Sequence, residues 1–345
     1  MSELSLGIIL SLVAGVINGS FAAPTKYSRN WQWENIWAVW AIVAMFLFPW
    51  ALAFGTHPDL VGFYADASPR LLLLMMGLGV GFGLAQIFFG LGVAAIGIAL
   101  NFAIAIGLST IIGSLVPLVL LQRQMVFTAK GMTIIAGVVV ILVGIVICAV
   151  AGNLKSKKTE AEASAKREAS AVTMSFKKGL MMSILAGLGG SWVNFGLAFS
   201  GPLLARAAEL GVSPVNRANL VWPPLITASF IPFMVYIIHL WRKNGTWGLY
   251  AHPGTGLNWL LGAVMGCCWM GSLWVYGAAT ARMAEMGPIL GWPLFMSIII
   301  ITSNAWGFLT GEWKGAGSKA VGTMLTGILF LILGFCTLAY AGRLG

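Results

Sequence analysis

Residues 131–152 read GMTIIAGVVVILVGIVICAVAG, and residues 153–160 that follow read NLKSKKTE. The first stretch holds no acid or base, and as a helix rising ~1.5 Å per residue it is long enough to cross a hydrocarbon layer of ~30 Å. The abrupt arrival of lysines marks the return to water. Working outward, the same pattern of apolar blocks and short polar breaks gives ten spans, at about 5–23, 34–54, 71–92, 98–121, 131–152, 179–200, 216–241, 257–280, 286–309 and 319–341. No charge separates the third from the fourth, so a tight hairpin is expected between Gly92 and Gly97. Composition agrees: 59% of the 345 residues are hydrophobic and 9% charged, with mean hydropathy +0.91. Soluble domains carry about 25% charged residues, so a water-soluble enzyme is excluded. The net charge of +10 lies between apolar blocks, where it orients a chain in a bilayer rather than binding nucleic acid.

The one long polar segment, 153–178, divides the chain into residues 1–152 and 179–345, with five spans in each. Gly7, Ser11, Ala14 and Gly15 recur at the spacing of Gly179, Ser183, Ala186 and Gly187; Gly137, Gly144, Ala151 and Gly152 recur as Gly327, Gly334, Ala341 and Gly342. An odd number of spans per copy inverts the second copy, a design common in secondary transporters. The expected fold is therefore an all-α integral membrane protein of ten transmembrane helices arranged as two inverted five-helix repeats. Of the 20 Lys and Arg, 13 lie on the side of the 153–178 linker and 7 on the other. The basic side is expected to be cytoplasmic, with both termini outside.

Charged groups inside a bilayer are costly and are retained for function. Every carboxylate here falls in a loop or at a helix end, and Glu34, Glu285 and Glu312 are the candidates for moving a proton. The three histidines, His57, His239 and His252, are dispersed, and Cys148, Cys267, Cys268 and Cys336 lie in apolar blocks as small core residues. Neither set makes a metal site, and no cofactor is called for. Ser191 follows Gly189-Gly190 but has no histidine at its depth to act as base, which argues against an intramembrane enzyme. Neutral polar groups do enter the spans. Ser11, Gly15 and Asn18 share a face of the first, and Ser183, Gly187, Gly190 and Asn194 share one of the sixth. Gln86 and Asn101 belong to the third and fourth. Trp192, Trp222, Trp269, Trp274 and Trp292 are expected to lie deep, with Trp269, Ser272 and Tyr276 on one face of the eighth span. Trp31, Trp33, Trp37, Trp241, Trp247, Trp259 and Trp313 belong at the interfaces. Aromatic rings beside amides and hydroxyls suit a sugar, which offers C–H faces and hydroxyl groups. Candidate sugar contacts are Asn18, Gln86, Asn101, Trp192, Asn194, Trp269, Tyr276 and Trp292. Gly77, Gly79, Gly81 and Gly83 lie inside an apolar span and read as close helix packing, and Pro117, Pro223, Pro224, Pro232 and Pro293 are expected to interrupt spans four, seven and nine.

Several strings resemble the bacterial L-rhamnose/proton symporter family of the drug/metabolite transporter superfamily. They are Ala23-Pro24-x-Lys26, Trp31-x-Trp33-Glu34-x-x-Trp37, Pro49-Trp50, Gly90-Leu91, the run from Gly107 to Pro117, Lys178-Gly179-Leu180, Ala208-x-Leu210-Gly211-Val212, Tyr276-Gly277 with Ala281-Arg282, and Glu312-Trp313-x-x-Ala316-Gly317. The stretch 285–293 departs from the family pattern. The resemblance runs nearly end to end and implies ten helices, an inverted repeat, and uptake of L-rhamnose or a related deoxyhexose with protons across the bacterial inner membrane. The partners it implies are a small sugar, protons and the lipid bilayer. Export or exchange of another metabolite is the alternative that such a fold permits.

Overall fold

A computed structural model describes residues 2–163 and 175–344; positions 164–174 of the charged stretch, with Met1 and Gly345, lie outside the described residues. In chain order the helices are α1 (Glu3–Ser20), α2 (Trp33–Ala41), α3 (Phe48–Thr56), α4 (Leu60–Ala65), α5 (Pro69–Ile96), α6 (Ile98–Leu121) and α7 (Ala129–Ala163). They continue as α8 (Phe176–Gly190), α9 (Trp192–Ala198), α10 (Gly201–Glu209), α11 (Trp222–Asn244), α12 (Gly256–Arg282), α13 (Gly287–Leu309) and α14 (Ser318–Ala341). Among the described residues ten helical segments are long and apolar enough to cross a membrane, from Glu3–Tyr27 to Ser318–Ala341, and each of the ten expected spans has its counterpart among them. The hairpin between the third and fourth turns on Gly97 alone, whose φ of 83° is open to glycine and strained for other residues. Helix α7 runs beyond its apolar part, so the start of the 153–178 linker is helical.

The chain forms two compact units, Met1–Leu84 with Trp192–Gly287 and Ala85–Ser191 with Pro288–Gly345. Each takes segments from both sides of the charged stretch. In the first unit α1 and α12 run antiparallel: Gly7 lies against Ala279 and Met283, while Asn18 reaches back to Ser272. Gly79 and Gly83 of α5 rest on the carbonyl oxygens of Leu225 and Ser229 in α11, so close that a Cβ at either would collide with backbone. Small residues four apart permit that approach in a bilayer, where apolar contact with lipid competes with ordinary side-chain packing.

In the second unit the recurring glycines of the fifth and tenth spans turn out to face each other. Gly144 packs on Gly327 and Leu331, and Gly334 packs on Gly137 and Ile141, which makes α7 and α14 an antiparallel pair with glycines on both sides. Helix α8 runs parallel to α6, with Gly187 against Ala105 and Leu108, and Ser183 bonded to Asn101.

Three expectations need correction. Pro117, Pro232 and Pro293 lie inside continuous helices, and Pro223 and Pro224 sit in the first turn of α11, where no N–H is needed. The spans are interrupted elsewhere. The second carries a π-helical segment at Ile42–Leu47, just ahead of Pro49, whose missing N–H and bulky ring disfavour a regular turn there. The sixth breaks at Ser191 and again at Ser200. Secondly, Cys267 and Cys336 are exposed on the helix surface, Cys268 is half-buried, and only Cys148 is buried. Thirdly, Trp274 is 41% exposed. An outward indole or thiol at this depth is solvated by lipid, so hydropathy alone does not separate it from the core.

Candidate functional site

The first unit gathers its polar groups on α12. Asn18 Nδ2 donates to Ser272 Oγ at 2.7 Å, and Tyr276 Oη donates to Asn194 Oδ1 at 2.6 Å. The amides of α1 and α9 thus converge on two residues one turn apart, all of them buried. Ser272 passes its own proton to the Trp269 carbonyl at 2.6 Å, which leaves its oxygen to accept from Asn18. Asn18 Oδ1 accepts no hydrogen bond among the described residues. Trp192 lies across Gly81 of α5, where any side chain would displace the ring.

Next to these amides stands a column of aromatic rings. Trp33, Trp37 and Trp40 follow one face of α2 at i, i+4 and i+7. Their rings meet at 5.4 Å, stacked, and at 4.9 Å, edge to face. Trp40 then meets Trp269 of α12 edge to face at 5.4 Å, and Trp269 stacks on Phe82 of α5 at 6.2 Å. Trp40 and Phe82 were missed by the reading of the sequence, which placed Trp33 and Trp37 at the interface; the Trp-x-x-x-Trp-x-x-Trp spacing was the available signal.

At the head of this column lies Glu34, 3% exposed and the one buried carboxylate among the described side chains. Its Oε1 accepts from Asn244 Nδ2 at 2.9 Å and from Thr246 Oγ1 at 2.8 Å. No Lys or Arg pairs with it among the described residues. Its place in the first turn of α2 lets the helix N-terminus share in holding the charge. Around it, Asn35 Nδ2 donates to the Thr246 carbonyl at 3.0 Å, Tyr250 Oη to the Asn35 carbonyl at 2.9 Å, and Trp31 Nε1 to the Leu249 carbonyl at 3.2 Å. Burial, reinforced by the negative Glu34, pushes the Tyr250 phenol up to about 12, so at neutral pH it remains a donor. Asn258 grips the backbone of Arg29 from both sides, donating to its carbonyl at 2.7 Å and accepting from its N–H at 3.2 Å. The other two acidic candidates are exposed. Glu285 follows Ala284, whose φ is 49°, and Glu312 of the second unit pairs with Lys155 at 3.4 Å.

The remaining sugar candidates belong to the second unit. Asn101 uses both ends of its amide, accepting from Ser183 Oγ at 2.6 Å and donating to the Phe89 carbonyl at 3.3 Å. Trp292 donates to the Ser109 carbonyl at 2.9 Å and lies flat on Gly113. Gln86 is half-buried, and its amide makes no hydrogen bond among the described residues.

Ten apolar spans among the described residues, with buried amides, aromatic rings and a carboxylate that no described Lys or Arg pairs, are the make-up of a multi-pass secondary transporter. The chain belongs to the L-rhamnose-proton symport protein (RhaT) family, which it matches over residues 1–341. It is 28% identical over 340 residues to the L-rhamnose-proton symporter of Cronobacter sakazakii, covering 96% of each chain. The symporters of that name from Mannheimia succiniciproducens and Klebsiella pneumoniae are each 27% identical to it, over 335 and 338 residues and 95% and 96% of each chain.

Proposed function

We propose that this protein takes up L-rhamnose together with protons across the bacterial inner membrane by alternating access. The observation that carries the reading is the match over residues 1–341 to L-rhamnose-proton symporters, joined to Glu34, which among the described residues is the one buried carboxylate and has no Lys or Arg paired with it. L-rhamnose presents a methyl group and C–H faces to rings such as Trp269 and Trp192, and hydroxyls to the amides of Asn18 and Asn194. Tyr276 fixes the Asn194 amide in this scheme. Asn101 and Trp292, whose polar atoms are already used, hold helices together. Glu34 takes the proton on one side and releases it on the other; Glu285 and Glu312, being exposed, gain less from proton binding. Residues 1–152 and 179–345 act as the two inverted repeats, joined by 153–178.

Uptake of labelled L-rhamnose by vesicles containing the purified protein tests the substrate. Competition by unlabelled L-rhamnose and not by D-glucose is expected, and accumulation of a different metabolite in preference would point to export or exchange of that compound. Orientation is tested with reporters. One fused after Gly345 is expected outside and one inserted near Ala163 in the cytoplasm, following the basic excess of 13 to 7; the opposite pattern would reverse the assignment.

A further inference from the structure

We infer that Asn244 and Thr246 are positioning residues for the proton step: they hold Glu34 as a carboxylate beneath the turn 245–255, and a proton arriving at its free oxygen loosens that turn. The inference rests on Glu34 being the proton carrier. Both hydrogen bonds end on Oε1, at 2.9 and 2.8 Å. Neither of these side-chain donors reaches Oε2, which is therefore the atom open to a proton. When a hydronium ion on one side delivers that proton, its O–H bond breaks as one forms at Oε2, water is left behind and the group passes from −1 to neutral; the reverse step hands the proton to water on the other side. Bonds to an ionised acceptor are roughly twice as strong as bonds to a neutral one. Oε1 therefore loses much of its hold on Asn244 and Thr246 without moving.

The geometry lets that loss be felt. Gly245, with φ 66°, forms the left-handed end of α11 between the two donors. Three further bonds, at the carbonyls of Thr246 and Leu249 and the hydroxyl of Tyr250, tie the turn to residues 31–35 at the entry to α2. At its far end this piece of α2, which carries Trp37 and Trp40, gives way to the π-helical Ile42–Leu47. Segments of that kind recur at functional sites and tolerate local rearrangement. Other groups near the carboxylate do not mask its titration. Tyr250 on the turn senses its charge and is neutral at physiological pH, and His252 further along the turn is exposed. Lys26 and Arg29 on the preceding loop, and His239, Arg242 and Lys243 on α11, are exposed.

The test is the pH profile of L-rhamnose affinity, measured on the purified full chain. Sugar and proton binding are coupled in a symporter, so affinity is expected to fall as pH rises through the carboxyl's midpoint. Thr246→Val removes one donor to the anion and should move that midpoint about one pH unit toward alkaline, the scale of one hydrogen bond to a charged group. Thr246→Ser should restore it. Asn244→Ala, at an exposed position that tolerates truncation, should shift it in the same direction. Glu34→Gln should flatten the profile. At a pH well below every midpoint Thr246→Val, Thr246→Ser and Asn244→Ala should bind as the parent does, which separates a moved titration from a damaged fold. A flat Glu34→Gln profile with parental midpoints for Thr246→Val and Asn244→Ala would overturn the positioning role and leave the carrier in place. A Glu34→Gln profile that still falls with pH would overturn both.

Discussion

The two compact units are built from the same kinds of helix and use their polar residues differently. In the second, glycines of α7 and α14 bring two backbones together, and the polar atoms of Asn101 and Trp292 end on neighbouring helices. In the first, glycines also pack helices, yet the amides of Asn18 and Asn194 meet α12 beside a run of five aromatic rings that begins next to a buried carboxylate. On the proposed reading the two sets differ in use: the polar atoms of the second unit hold helices, and the amides of the first sit where a ligand would exchange for the bond already made.

That distinction can be broken by substitution. The largest effect is expected in the second unit and should be purely structural. A Cβ at Gly144 would lie 2.9 Å from the Leu331 nitrogen and 3.0 Å from the Gly327 oxygen, both backbone atoms that cannot swing away. Gly144→Val should cost about 3 kcal/mol of stability, at the upper end for overpacking, seen as a lower unfolding temperature. L-rhamnose affinity of the protein that remains folded should be unchanged.

An intermediate effect separates amides that look alike. Asn18→Ala and Asn194→Ala should each weaken L-rhamnose binding by about 1 to 3 kcal/mol, the range for leaving a buried polar partner unmatched. Asn101→Ala should lower stability by a similar amount and leave affinity within about threefold. Equal losses of affinity in all three, measured by titration, would erase the contrast between the units. The smallest effect concerns the rings. Trp269→Leu should weaken binding roughly threefold to tenfold, the worth of about 0.5 to 1.5 kcal/mol for an aromatic contact beyond its area; unchanged affinity would make the column a packing feature.

The ten spans could be read directly from residues 131–152 and their counterparts because a bilayer demands length and apolarity of each helix separately. Properties that join distant segments could not. Glu34 was placed at a helix opening, but its donors lie 210 and 212 residues further along the chain, so its burial depends on a turn that no local pattern announces. The glycine spacing shared by the fifth and tenth spans suggested a repeat, and in the folded chain those glycines are also the two sides of one contact, a pairing that the spacing did not announce. Trp40 was overlooked because an indole in an apolar block has no pattern of its own until Trp269 and Phe82 are brought beside it. Cys267, Cys336 and Trp274 failed in the opposite sense, since lipid accepts apolar side chains as readily as a core does.

The central claim is that L-rhamnose movement is tied to a proton carried by Glu34. Its most direct test is the internal pH of dye-loaded vesicles containing the purified protein when L-rhamnose is added outside. The parent is expected to acidify the interior as sugar enters, and Glu34→Gln to exchange labelled for unlabelled L-rhamnose with no acidification. Acidification by Glu34→Gln at the parental rate, or L-rhamnose entry through the parent with no proton signal at any pH, would contradict the account.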